Sequence, residues 1–155
     1  METETVSFSF AGQALQLLGK SLYSNAWSAI SELVANGFDA GATTVRVFLD
    51  VSDKSSSVVE IMDDGSGMDS DGIATYAKVG YDRRRDGLES PVKPEEVMGR
   101  KGIGKLAALY LTDNYCIQTK QRGNTTTWQI DRGNSLPDEV PVLKRVDNAL
   151  CVPAT

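Results

Sequence analysis

Glu32, Asn36 and Asp39 stand four and three residues apart, the interval that brings side chains onto one stripe of an α-helix. At about 100° per residue they fall within roughly 60° of one another, with Ser28 beside them. Two carboxylates and a carboxamide on one stripe can orient or deprotonate a water molecule and offer a hard oxygen to a cation. The same stripe would also serve as the solvated face of an ordinary surface helix. Trp27, Ile30, Leu33, Val34 and Phe38 fall on the opposite arc, which is expected to lie on a sheet.

A second group is Asp63-Asp64-Gly65-Ser66-Gly67-Met68. Its glycines allow positive φ and close approach of backbone to a ligand. Asp63, at the mouth of a β-rich run, could accept a hydrogen bond from the exocyclic amine of adenine while Gly65 and Gly67 let the base come close. On their own, the same six residues read more often as a plain turn.

The third group, Gly99-Arg100-Lys101-Gly102-Ile103-Gly104-Lys105, nearly fits two phosphate-binding patterns. Against G-x-x-x-x-G-K-[ST], Leu106 stands where a hydroxyl must ligate magnesium, and Lys93-Pro94-Glu95-Glu96 precedes the loop in place of a buried strand. Against the dinucleotide fingerprint, Gly102 to Ala107 fits G-x-G-x-x-A, but again no strand leads in and no acidic residue follows at a strand end about 20 residues on. What survives is that small residues opening a helix expose backbone N–H groups and a positive dipole end to an anion. Phosphate is the obvious guest, and a flexible hinge is the alternative. With phosphates at Gly102 to Lys105, Asn36 offers magnesium its hard oxygen, and Glu32, one helical turn away, can orient or deprotonate the attacking water.

The elements that must position these groups follow from local pattern. Residues 6–10 alternate apolar and polar as a half-buried strand, and residues 12–20, with Leu15, Leu17 and Leu18, suggest a short helix. Tyr23-Ser24-Asn25 forms a turn that can cap the long helix, which should stop near Gly41. Residues 45–51 and 58–62 read as a hairpin, and Asp69 or Ser70 caps a helix through Ile73, Tyr76 and Ala77. Residues 80–99 have many charges, Pro91 and Pro94, and little periodicity, as expected of a lid. Leu106 to Leu111 looks helical. Residues 115–119, 125–130 and 140–146 give three more strands, with turns at Gly123-Asn124 and Gly133-Asn134. This order predicts an α/β two-layer sandwich, a mixed sheet with helices on one face.

Composition narrows the function classes. A chain of 155 residues, 41% hydrophobic, can bury a core as one domain. Cys116 and Cys151 are too few and too far apart for a disulfide framework, and with no histidine a zinc-type cluster is excluded. Reduced thiols in a cytoplasmic protein are expected. The acidic start, Met1-Glu2-Thr3-Glu4, does not read as a signal peptide, and no apolar run approaches the roughly 18 residues of a membrane span. The net charge of −5 argues against a nucleic-acid surface, Arg83-Arg84-Arg85 being too short a basic run to supply one.

The three groups, in this order and at these separations, resemble the GHKL ATPase superfamily of DNA gyrase B, MutL, the ninety-kilodalton heat-shock chaperones, MORC proteins and sensor histidine kinases. "SELVANGFDAGAT" looks like its first motif, closest to MutL and MORC, implying Glu32 as general base and Asn36 as magnesium ligand. "IMDDGSGM" looks like the second, implying Asp63 as the adenine-reading carboxylate, with Gly65, Gly67 and Met68 beside the nucleotide. "MGRKGIGKLAALYLTD" resembles the chaperones' glycine-rich hinge, implying phosphate contacts from Lys101, Gly102, Ile103, Gly104 and Lys105. "SFSFAGQALQLLGKSLYSN" is similar to the chaperones' N-terminal strand and helix, which implies a nucleotide-dependent homodimer.

The resemblance thus implies the Bergerat ATP-binding fold over residues 1–155, with ATP or ADP and Mg2+ as cofactors. It also implies slow hydrolysis as the switch of a chaperone-like or MORC-like protein. The family's late Gly-Thr pair is not in its expected place, so the chain is expected to end before the domain's last strand and to lack the domain that supplies a catalytic cation. Two alternatives stay open: a histidine-kinase-type catalytic domain and a non-catalytic nucleotide-sensing dimerisation module. Against the first, Glu32 suits water activation and the chain has no histidine to phosphorylate.

Overall fold

The structure, a computed structural model, describes residues 12–78, 104–131 and 142–146. Helix α1 (Gly12–Ser21) leads through a short turn into α2 (Ala26–Asp39). The Asn25 carboxamide oxygen caps α2, accepting the Ser28 N–H at 2.9 Å and the Ser28 hydroxyl at 3.2 Å. At the other end Gly41 turns left-handed, with φ 79°, and its N–H closes on the Phe38 carbonyl at 2.9 Å. The helix therefore starts and stops where the sequence predicts.

Strands β1 (Val45–Asp50) and β2 (Val58–Asp63) form the expected antiparallel hairpin, with Val45 opposite Asp63 and Asp50 opposite Val58. In the connection, Asp50 and Asp53 accept the N–H groups of Ser52 and Ser55, both at 2.9 Å. Asp69 then caps α3 (Ser70–Ala77) by accepting the Gly72 N–H at 2.8 Å. A 3-10 turn, Gly104–Leu106, runs into α4 (Ala107–Leu111). Strands β3 (Cys116–Gln121), β4 (Asn124–Asp131) and β5 (Val142–Val146) follow as an antiparallel sheet in the order β3-β4-β5.

Asn124 pairs with Gln121, so the β3–β4 turn is Arg122-Gly123, one residue earlier than expected. Both residues have positive φ, 50° and 83°, matching the right-handed strand twist. Every ladder among the described residues is antiparallel. The α/β class is as expected, helices packed against sheets, but in place of one mixed sheet the described strands form two antiparallel ones, because each strand pairs with its neighbour in sequence. The strand at 6–10, the lid at 80–99 and the turn at Gly133-Asn134 lie outside the described residues.

The core joins α4 to the three-stranded sheet. Leu106, Leu109 and Ile130 are buried together, with Leu22, Tyr115 and Leu143 packed around them. Helix α1 meets α4 at Gly19, where a Cβ would stand 3.4 Å from that of Leu109. Leu17 and Leu18, which had suggested this helix, are exposed. On β4, Trp128 is half-buried and donates its indole N–H to the Thr126 hydroxyl at 3.0 Å.

Helix α2 buries Ile30 as expected but departs from expectation at the two ends of its apolar arc. Ala29, Ile30 and Gly37 are buried, whereas Trp27 is 67% exposed and Phe38 also faces solvent. The polar stripe is half-buried at the edge of the contact, not opposite it. Close helix packing favours small side chains, which a count of large apolar residues does not weigh.

A second expectation is overturned at Cys116, which is disulfide-bonded. Distance along the chain does not set distance in space, and thiol count alone does not fix a redox compartment. No helix among the described residues is long and apolar enough to cross a membrane.

Candidate functional site

The first two groups meet at Gly37, one residue beyond Asn36. A Cβ there would stand 2.8 Å from a Val45 methyl and 3.0 Å from the Asp63 Cβ, closer than packed atoms sit. Only a bare backbone lets α2 cross the hairpin at this height. Two hydrogen bonds tie the segments further: Ser66 N–H to the Ala40 carbonyl at 2.9 Å, and Asp64 N–H to the Thr44 carbonyl at 3.3 Å.

The adjacent aspartates are used differently. Asp64 Oδ1 accepts the N–H groups of Thr43 and Thr44 at 2.7 and 2.9 Å, and Oδ2 accepts the Thr43 hydroxyl at 2.7 Å. The Thr44 N–H, then the Thr43 hydroxyl, hold its pKa below the ordinary value. Asp63 has one bond among the described residues, from the Gly65 N–H to Oδ1 at 2.9 Å. Its second oxygen remains available to a donor such as an amine.

The third group meets the first at Gly104. A Cβ on Gly104 would lie 2.9 Å from Glu32 Cγ and 3.0 Å from Cδ, with Oε1 nearer still. The Glu32 carboxylate therefore rests on the opening of the 3-10 turn that leads into α4. Tyr23 adjoins it: burial raises the Tyr23 pKa, and the Glu32 charge raises it further. The Tyr23 ring also meets Tyr110 edge-on at 5.5 Å. Among the described residues neither Glu32 nor Asn36 has a side-chain hydrogen-bond partner, and both are half-buried.

Beyond Asp63 the loop is seated on β3. The Met68 N–H donates to Thr119 Oγ1 at 2.8 Å, and Gln121 Nε2 donates to the Gly67 carbonyl at 3.3 Å. Gly67 is left-handed, φ 68°, and so close to β3 that a Cβ would overlap the Lys120 carbonyl oxygen. Only glycine meets both demands at once.

The fold thus brings Glu32 to Gly104 and sets Gly37, next to Asn36, against Asp63, while Gly65 meets Ala40 just past the end of α2 and Gly67 and Met68 are seated on β3. Lys105 begins the 3-10 turn with Gly104, and Lys101, Gly102 and Ile103 lie outside the described residues. Ser28 is engaged in the helix cap. Two neighbours were not singled out from sequence as site residues. Tyr23 enters the sequence reading as part of a capping turn and of the chaperone-like N-terminal stretch, not as a site residue. Thr119 sits in a strand where threonine needs no explanation beyond β-propensity, and no local signal marks it.

As to metals, no group of three acidic, histidine or cysteine residues clusters among the described residues. The donor set fits magnesium held chiefly by phosphate and water, for which one amide oxygen suffices.

The profile of the histidine kinase-, DNA gyrase B- and HSP90-like ATPases matches residues 23–150, and the chain belongs to that family. ATP binding and hydrolysis are the family's general chemistry. Among individual proteins, the chain is 35% identical over 108 residues to HgiDII of Herpetosiphon aurantiacus, provisionally named a type II restriction enzyme, covering 69% of this chain and 17% of that protein. It is 29% identical over 148 residues to the chaperone protein HtpG of Nocardia farcinica, 79% of this chain and 22% of HtpG. It is also 29% identical over 152 residues to HtpG of Pseudoalteromonas translucida, 83% and 23%. The chain spans about a fifth of the length of these curated relatives.

Proposed function

We propose that this chain binds ATP with magnesium and hydrolyses it slowly to ADP and phosphate, as the nucleotide-driven switch of a chaperone-like or MORC-like protein. The observation that supports it most is the contact between Glu32 and Gly104, which sets a carboxylate beside the glycine that opens the 3-10 turn, where this reading seats the terminal phosphate. In this reading Asp63 accepts the adenine amine, Gly65, Gly67 and Met68 line the base, and residues 101–105 hold the phosphates through backbone N–H groups. Asn36 would hold magnesium, which neutralises phosphate charge. Glu32 orients the attacking water and takes its proton. Turnover is slow unless a cation is supplied from elsewhere, since such a group is worth roughly 10³ or more in rate.

Calorimetric titration with ATP and magnesium, followed by phosphate release, tests the assignment. Asp63→Asn is expected to lose nucleotide, and Glu32→Ala to bind it while losing turnover. Equal turnover by wild type and Glu32→Ala would sink the general-base role.

The identity to HgiDII favours a second reading, in which the same ATPase module serves a DNA-cleaving protein. ATP-dependent cleavage of plasmid DNA by this protein would distinguish it from a chaperone.

A further inference from the structure

We propose that Thr119, assisted by Gln121, is a positioning residue that sets nucleotide affinity by fixing the backbone of Gly67 and Met68. The proposal rests on the nucleotide-binding reading above. Thr119 is a buried polar residue, 7% exposed. Its hydroxyl accepts the Met68 N–H at 2.8 Å and donates to the Met68 carbonyl at 3.5 Å, so both of its bonds among the described residues go to one loop residue. Gln121, next on the same strand face, holds the Gly67 carbonyl at 3.3 Å. These bonds join positions 51 and 54 residues apart in sequence.

The sheet does not need this hydroxyl. Thr119 is paired with Thr126 in the β3–β4 ladder, and a valine would fill the site with equal volume and higher strand propensity. The polar atom is used by the loop instead. That loop is fixed at one end, where Gly65 N–H holds Asp63 Oδ1, and Thr119 fixes the other. A loop held at both ends meets a base already in its bound form, and ordering that would otherwise oppose binding is complete beforehand.

The test compares the whole chain as wild type, Thr119→Val and Thr119→Ser, titrated with ATP and ADP in magnesium, with amide hydrogen exchange at Met68 read without nucleotide. Thr119→Val is expected to raise Kd and KM about tenfold, more than kcat falls, and to speed Met68 exchange, the loss of one buried hydrogen bond. Thr119→Ser is expected to restore all of these. Wild-type affinity in Thr119→Val, or a fall in kcat with KM unchanged, overturns the proposal. Should Thr119→Val fail to fold by circular dichroism, Gln121→Ala decides: a severalfold rise in KM supports the role and an unchanged KM overturns it. If wild type binds no adenine nucleotide, the functional reading falls and this role with it. That result is distinct from wild type and Thr119→Val binding equally, which removes this role alone.

Discussion

The Asp64 carboxylate is occupied by the Thr43–Thr44 turn, and the Thr44 N–H, its largest influence, holds its pKa below the ordinary 3.8. A depressed folded-state pKa contributes stability above the unfolded value, and this is lost as pH falls through the folded one. The melting temperature of wild type should therefore fall on acidification below about pH 4, and fall less steeply in Asp64→Asn, as circular dichroism melts across that range will show. At Gly104 the expectation is steric. Its φ is not positive, so alanine fits the backbone but meets Glu32 Cγ at 2.9 Å and must displace the carboxylate. Gly104→Ala should lower kcat about tenfold or more while changing nucleotide Kd less, measured by phosphate release beside calorimetry.

At the scale of elements, the cap of α2 is the point of leverage, because this one helix carries Glu32, Asn36 and the Gly37 crossing. Replacing Asn25 by alanine removes the acceptor of the Ser28 N–H and should cost about 1 kcal/mol in urea unfolding, with Asn25→Asp retaining most of it. Such caps were legible because they are local: Asn25, Gly41 and Asp69 act within a few residues of themselves, as does the hairpin pattern of β1 and β2. The buried arc of α2 was only partly legible from its large apolar residues, since Ile30 is buried as expected but the crossing also selects Ala29 and Gly37 and leaves Trp27 outside. Asp63 could be placed at a strand mouth from sequence, but its division of labour with Asp64 depends on Thr43 and Thr44, some 20 residues earlier. Thr119 was invisible for the same reason, its partner lying 51 residues away.

For the whole molecule, the bonded state of Cys116 is directly checkable. Without reductant Cys116 should resist iodoacetamide, and after reduction it should be alkylated, as peptide mass spectrometry reads. Modification before reduction would return the chain to the reduced-thiol expectation. The two halves of the described structure, α2 with its hairpin and the three-stranded sheet with α4, also carry one tryptophan each. Trp27 stands 67% exposed on the outer arc of α2, and Trp128 lies half-buried with its indole N–H bonded to Thr126. Fluorescence can therefore address each half separately, an iodide-quenched, red-shifted emission from Trp27 and a shielded one from Trp128. If the halves melt as a cooperative unit, both signals change at a single denaturant midpoint, and if one half loosens first, its indole reports that step alone.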